Sequence, residues 1–132
     1  MENKNELVLS TNLEKGQIVS TVTDQIEVYN LLNIKGKSQR LSSVEGMRLK
    51  VTDLILSGNE YVDEETGEVR TQTKVMLKTE DGKYYHTHSK SILNNVVQLK
   101  EIFGLPTMEN SWRVIPTTVT GKRNNYLMLE LY

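Results

Sequence analysis

The feature that most constrains this chain is a change of parity inside one apolar run. Met47, Leu49 and Val51 alternate with polar neighbours, and then Leu54 and Leu56 alternate on the opposite parity. A strand returns to the same face every second residue, so a slip within a continuous strand requires a bulge. The slip falls at Thr52 and Asp53 and predicts a long strand bent at that point. A bend of this kind lets a few strands curl round and close on themselves.

The remaining elements follow from turn chemistry. Asp63, Glu64, Glu65, Thr66, Gly67 and Glu68 read as a hairpin turn, with Gly67 suited to a positive φ. A second strand carries Val69, Thr71, Thr73, Val75 and Leu77 on one parity. Asp81 and Gly82 then mark a tight turn before a third strand over residues 84–87. Residues 89–103 form the one long helical pattern, with Ile92, Val96, Leu99 and Phe103 on a stripe and Leu93 and Val97 beside it. Ser89 or Ser91 can cap its start, while Gly104 and Pro106 stop it. Strands over residues 112–120 and 126–131, joined by a turn at 121–125, complete the chain.

Three meandering strands, a helix and a hairpin predict a mainly β protein. The expected form is a five-stranded OB-fold barrel over residues 41–132, with the helix between strands three and four. An α+β sandwich, with the helix lying across one open sheet, is the alternative. Residues 1–40 read as an N-terminal extension. It holds a short edge strand at 17–22 and a short helix capped by Thr23 or Asp24, with Ile26, Tyr29 and Leu32 at three-residue spacing. This extension is a candidate arm for homo-oligomerisation or partner contact.

Composition removes several chemistries. There is no cysteine, which excludes disulfides, thiolate metal sites and cysteine nucleophiles. His86 and His88 are the only histidines, and two imidazoles fall short of the ligand set a metal site needs. No phosphate-loop, dinucleotide or nucleophile-elbow motif occurs. The expectation is therefore no enzyme, no cofactor and no metal, with a small metal-dependent nuclease built on the two histidines as the catalytic alternative. No run approaches the roughly 18 apolar residues of a membrane span, and residues 1–10 do not resemble a secretory signal. A cytoplasmic protein without a membrane partner is expected.

The 16 basic and 17 acidic side chains nearly cancel, but they are unevenly placed. Much of the acidity sits at Asp63, Glu64, Glu65 and Glu68, which leaves the rest of the molecule mildly basic. Several aromatic residues lie beside cations on predicted strands. Tyr84, Tyr85 and His86 open strand three next to Lys83, Trp112 neighbours Arg113, and Tyr126 follows Lys122 and Arg123. Strand two places Arg70, Gln72 and Lys74 on the face opposite Val75 and Leu77. Rings that stack on bases, interleaved with cations that hold phosphates, are what a sequence-tolerant single-strand binder requires.

The candidate nucleic-acid-binding residues are thus Arg70, Lys74, Tyr84, Tyr85, His86, Trp112, Arg113, Lys122, Arg123 and Tyr126. Each has a plainer reading. One of two adjacent tyrosines on a strand faces inward, a lone tryptophan in a small domain commonly packs, and turn lysines are commonly just solvated. The expected partner is single-stranded DNA, with RNA open because both offer bases and phosphates. The competing function is an OB-fold protein-interaction or structural module of a phage or transfer complex.

A family resemblance runs through the C-terminal half. It is carried by Glu65, Thr66, Gly67 and Glu68; by Asp81, Gly82, Lys83 and Tyr84; and by Ser89, Lys90 and Ser91. It continues through Ile102, Phe103, Gly104 and Pro106 and through the segment from Gly121, Lys122, Arg123 and Asn124 to Leu131, with weaker echoes at 41–56. In this spacing the chain resembles the small single-stranded DNA-binding proteins of phages and plasmids of Gram-positive bacteria. The resemblance implies an OB-fold protein that coats exposed single strands in phage replication, plasmid replication or conjugative transfer, in a bacterial or phage-infected cell. The chain has no Gly/Pro/Gln-rich linker or acidic tail like those of bacterial housekeeping relatives. Recruitment of other enzymes through such a tail is not expected.

Overall fold

The computed structural model describes Leu9 and residues 13–132; the start of the expected extension lies outside these residues. In chain order the elements are β1 (Ile18–Ser20), α1 (Gln25–Asn33), β2 (Gln39–Arg40), a 3-10 turn (Leu41–Val44), β3 (Leu49–Val62) and β4 (Val69–Thr79). They continue with β5 (Tyr84–Thr87), α2 (Lys90–Phe103), β6 (Trp112–Thr120) and β7 (Asn125–Leu131). The strands form one curled, mixed sheet in the order β2-β5-β4-β3-β6-β7, with β1 added to β3.

The bulge lies where the parity change puts it. The β3–β4 register shifts between Val51 and Asp53. Thr21, just after β1, satisfies the disturbed backbone: its hydroxyl donates to Asp53 Oδ1 at 2.8 Å and accepts from the Leu54 amide at 3.0 Å. Beyond the bulge, Leu54 and Leu56 pair with Leu77 and Val75 on the inner face, where α2 lays down Ile92, Leu93, Val96 and Leu99. Ser89 caps α2 by accepting from the Ile92 amide at 3.2 Å, and Gly104 ends it at φ +80°.

The sheet described here has seven strands rather than five, because the segment before residue 41 contributes to it. β1 pairs antiparallel with β3, and β2 pairs parallel with β5. No ladder joins β5 to β7 among the described residues, so the sheet is a half-barrel. The edge of β7 turns instead to the helix, where Asn95 Oδ1 accepts from the Leu129 amide at 2.9 Å.

α1 covers the outer face. Leu31 packs on Ile55, Met76 and Tyr84, with Val28 and Leu32 beside it. The helix buries the 28, 31, 32 stripe, while Ile26 and Tyr29 remain exposed. That departs from the three-residue spacing read in the sequence, because a 3.6-residue period favours neighbours three and four apart. Asp24 is its cap, accepting from the amides of Ile26 and Glu27.

The chain before β1 crosses β3 at Gly58. The Gly16 amide donates to Gly58 O and the Gly58 amide to Gln17 O, at 3.1 and 2.9 Å. A Cβ on residue 58 would stand 2.0 Å from the Glu14 carbonyl oxygen. Gly58→Ala is therefore expected to lift residues 13–17 off the sheet and to cost about 1–3 kcal/mol, the usual penalty of overpacking. Urea denaturation followed by circular dichroism reads this cost; an unchanged midpoint would refute the close approach.

Candidate nucleic-acid interface

Cross-strand register decides which side chains share the outer face of the β3–β4 ribbon. Ile55 and Met76 lie under α1, and the pairs Ser57–Lys74, Asn59–Gln72 and Tyr61–Arg70 continue the same face toward the hairpin tip. The tip is a well-tied turn: the amides of Asp63 and Gly67 donate to Glu68 O and Asp63 O. Arg70 is drawn toward it, with its guanidinium 3.1 Å from Asp63 and 3.5 Å from Glu68.

At this end of the ribbon an open trough forms against the start of α2. Its lining is Leu13, Tyr61, Val69, Arg70, Thr71, Gln72, Thr73, His88, Lys90 and Leu93. Its volume is about 560 Å³, within the 300–1,000 Å³ of ordinary ligand sites. Tyr61 is 42% exposed, and no carboxylate belongs to the lining. A second hollow, lined by Arg40, Leu41, Ser42, His86, Thr87 and His88, shares His88 with the trough. Arg40, His86, His88, Lys90 and Arg70 therefore form a continuous series of basic side chains, with Tyr61 at its end.

Burial and mutual repulsion disfavour the charged forms of the basic groups along this series. Burial, then the neighbouring Lys74 charge, holds the His88 imidazole below its ordinary pKa. The same two causes act in the same order on His86, with smaller contributions from His88 and Arg40. Burial alone lowers Lys74. His86 Nδ1 is engaged by Ser38 Oγ at 2.7 Å, which fixes the ring. Among the described residues, no group of three or more histidines, cysteines or carboxylates could hold a metal ion.

Three of the rings expected to stack on bases belong instead to the core. Tyr85 points inward to the main cluster, and Tyr84 points outward but is sealed beneath α1. The Tyr84 hydroxyl donates to Glu27, and burial followed by that carboxylate pushes its pKa well up. Glu27 itself is held below the usual carboxylate range, first by the Tyr84 hydrogen bond, with Lys78 adding to it at 3.2 Å. Trp112 is 3% exposed, and its indole N–H donates to Gly104 O at 3.0 Å.

The other expected residues are on the surface but do not converge. Arg70, Lys74 and His86 share the outer face of the sheet, and of these Arg70 lines the trough. Arg113 lies on β6 beside Phe103 and Tyr132, in a separate cleft. Lys122, Arg123 and Tyr126 are exposed at the β6–β7 tip and contribute nothing to the trough lining. Tyr61, Arg40 and Lys90, which lie along this series, are not among the residues the sequence suggested. Tyr61 could have been found by counting back from the turn, since a hairpin closed at Val62–Val69 must set Tyr61 opposite Arg70.

A curled β-sheet with an open trough that carries Arg70, Lys90 and the exposed Tyr61 ring is a shape compatible with nucleic-acid binding. The model of the phage single-stranded DNA-binding protein family matches residues 5–132, so the chain belongs to that family. Single-stranded DNA is its partner, and phage DNA replication is its setting. No curated protein and no solved structure matches the chain. Among the described residues, no helix is long and apolar enough to cross a membrane.

Proposed function

We propose that the trough between the β3–β4 hairpin and the start of α2 is where the single strand lies. Tyr61 would stack on a base while Arg70, Lys90, Arg40 and Lys74 neutralise phosphates. The carrying observation is the lining itself, which joins an exposed ring to cations with no carboxylate among them. Nothing in it forms a shape-specific base pocket, so binding is independent of sequence and the protein coats strands exposed during replication. The β3–β7 strand order with α2 between β5 and β6 supports an OB-like arrangement, which the described residues before 41 extend through β1, α1 and β2. Lys122, Arg123 and Tyr126 would guide the strand once it leaves the trough.

Titration of a dT oligomer against the protein tests this reading. Affinity should fall with salt at a log–log slope of about −3, given about four phosphates neutralised on a single strand. Duplex of equal length should bind far more weakly, because paired bases offer no face to Tyr61. Failure to bind the oligomer at low salt overturns the proposal.

The histidines add a pH dependence with a definite sign. In the free protein both imidazoles are held below their ordinary pKa, so near neutrality they are unprotonated. A phosphate beside them raises both values, so binding takes up protons and affinity increases as pH falls below neutrality. At fixed ionic strength the affinity at pH 5.5 should exceed that at pH 7.5 about tenfold, and His86→Gln with His88→Gln should flatten the profile. A flat wild-type profile would place the strand away from β5.

A further inference from the structure

We propose that copies of this protein join end to end, the β3–β4 hairpin tip of one seating in the β6–α2 cleft of the next, and that this contact makes its coating of single strands cooperative. The proposal rests on the single-strand reading for its consequence, but the contact itself stands on separate observations. The cleft is walled by Phe103, Trp112, Arg113, Leu131 and Tyr132, with Phe103 and Leu131 about half exposed. The cleft is small, with an apolar floor that a side chain of a tight turn can enter.

Charge identifies the occupant. Arg113 stands directly opposite Lys50 in the β3–β6 register, where Lys50 pairs with Glu80 at 3.8 Å and leaves Arg113 without a carboxylate of its own among the described residues. Arg48 stacks on the Tyr132 ring, 5.2 Å from its centre. Neither Arg48 nor Arg113 enters an ion pair among the described residues. The cleft therefore presents an apolar floor beside uncompensated positive charge and suits an acidic, apolar plug.

The chain carries such a plug. At the hairpin tip Val62 and Val69 are exposed, and they flank Glu64 and Glu65, which enter no ion pair among the described residues. The turn is already tied by its own hydrogen bonds, so little order is lost when it docks. Tip and cleft also lie at opposite ends of one strand. Tyr132 donates its hydroxyl to Leu49 O at the beginning of β3, while the tip follows Val62 at its end. Fourteen residues of strand put them up to about 45 Å apart along the chain path. A patch that fits a different patch at the far end of an identical molecule makes a heterologous contact, which propagates as a line. A line of copies is what a coated single strand requires.

Two charge-reversed proteins test the contact: Glu64→Lys with Glu65→Lys at the tip, and Arg113→Glu in the cleft. Cooperativity is read as the ratio of affinity per site on long poly-dT to affinity for an oligomer that holds one copy. Each variant alone should lose about tenfold or more in that ratio, since docking then sets like charges together. An equimolar mixture should recover it, because every tip then meets an oppositely charged cleft. Wild-type protein without DNA should also associate with rising concentration at low salt in sedimentation, and neither variant alone should do so. A wild-type ratio in either variant, or a mixture that fails to recover, overturns the proposal. Failure of wild-type protein to bind the short oligomer would instead count against the trough, and the sedimentation result would still judge the contact.

Discussion

Trp112→Ala is expected to lower the folding stability by about 3–5 kcal/mol, the usual cost of truncating a buried tryptophan. The side chain is almost wholly enclosed, and β6 begins at this residue, opposite Val51 of β3. Its indole N–H also ties β6 to the end of α2 through Gly104 O. Removing it leaves a cavity where β3, β6 and α2 meet and frees that carbonyl. Against a total stability of about 5–15 kcal/mol for a domain, the loss is a large share. Urea denaturation by far-ultraviolet circular dichroism measures it. The fraction still folded should bind a single-copy dT oligomer within about twofold of wild type, because the ring is no part of the trough. Near-normal stability combined with a large affinity loss would make Trp112 a base platform after all.

The reverse pattern is expected at Tyr61. The ring is exposed at the trough end, so Tyr61→Ala should shift stability by no more than about 0.5 kcal/mol. Its loss from a stacked base should cost about 1–3 kcal/mol of binding, or roughly 5- to 150-fold in affinity. Tyr61→Phe keeps the π-face and should retain most of the affinity. Anisotropy of a labelled dT oligomer separates these results. Wild-type affinity in Tyr61→Ala would remove the ring from the interface.

Much of the fold was legible because its signals are local. The parity change at Thr52 and Asp53 located the bulge, Asp81 and Gly82 located a turn, and Ser89 and Gly104 bounded α2. Each depends on backbone conformations that a few adjacent residues dictate. The site was less legible. Alternation correctly put Tyr84 and Tyr85 on opposite faces, and one of them was expected to be free. α1 closes that second face, and its docking depends on Leu31 meeting Ile55 and Met76, far away in the chain. Tyr61 was overlooked because it borders an acidic turn, and only strand register sets it beside Arg70 and away from Glu64 and Glu65.

The amino-acid order by itself determined the series of strands and turns, the bend in β3, the long capped helix and the absence of thiol chemistry. Tertiary structure alone decided which rings are sealed and which are offered, that the early residues extend the sheet through β1 and β2, and that the basic side chains of β2, β4, β5 and α2 form one line. The reason is physical. Backbone preference acts over a few residues, whereas burial and charge proximity depend on which distant segments are brought together.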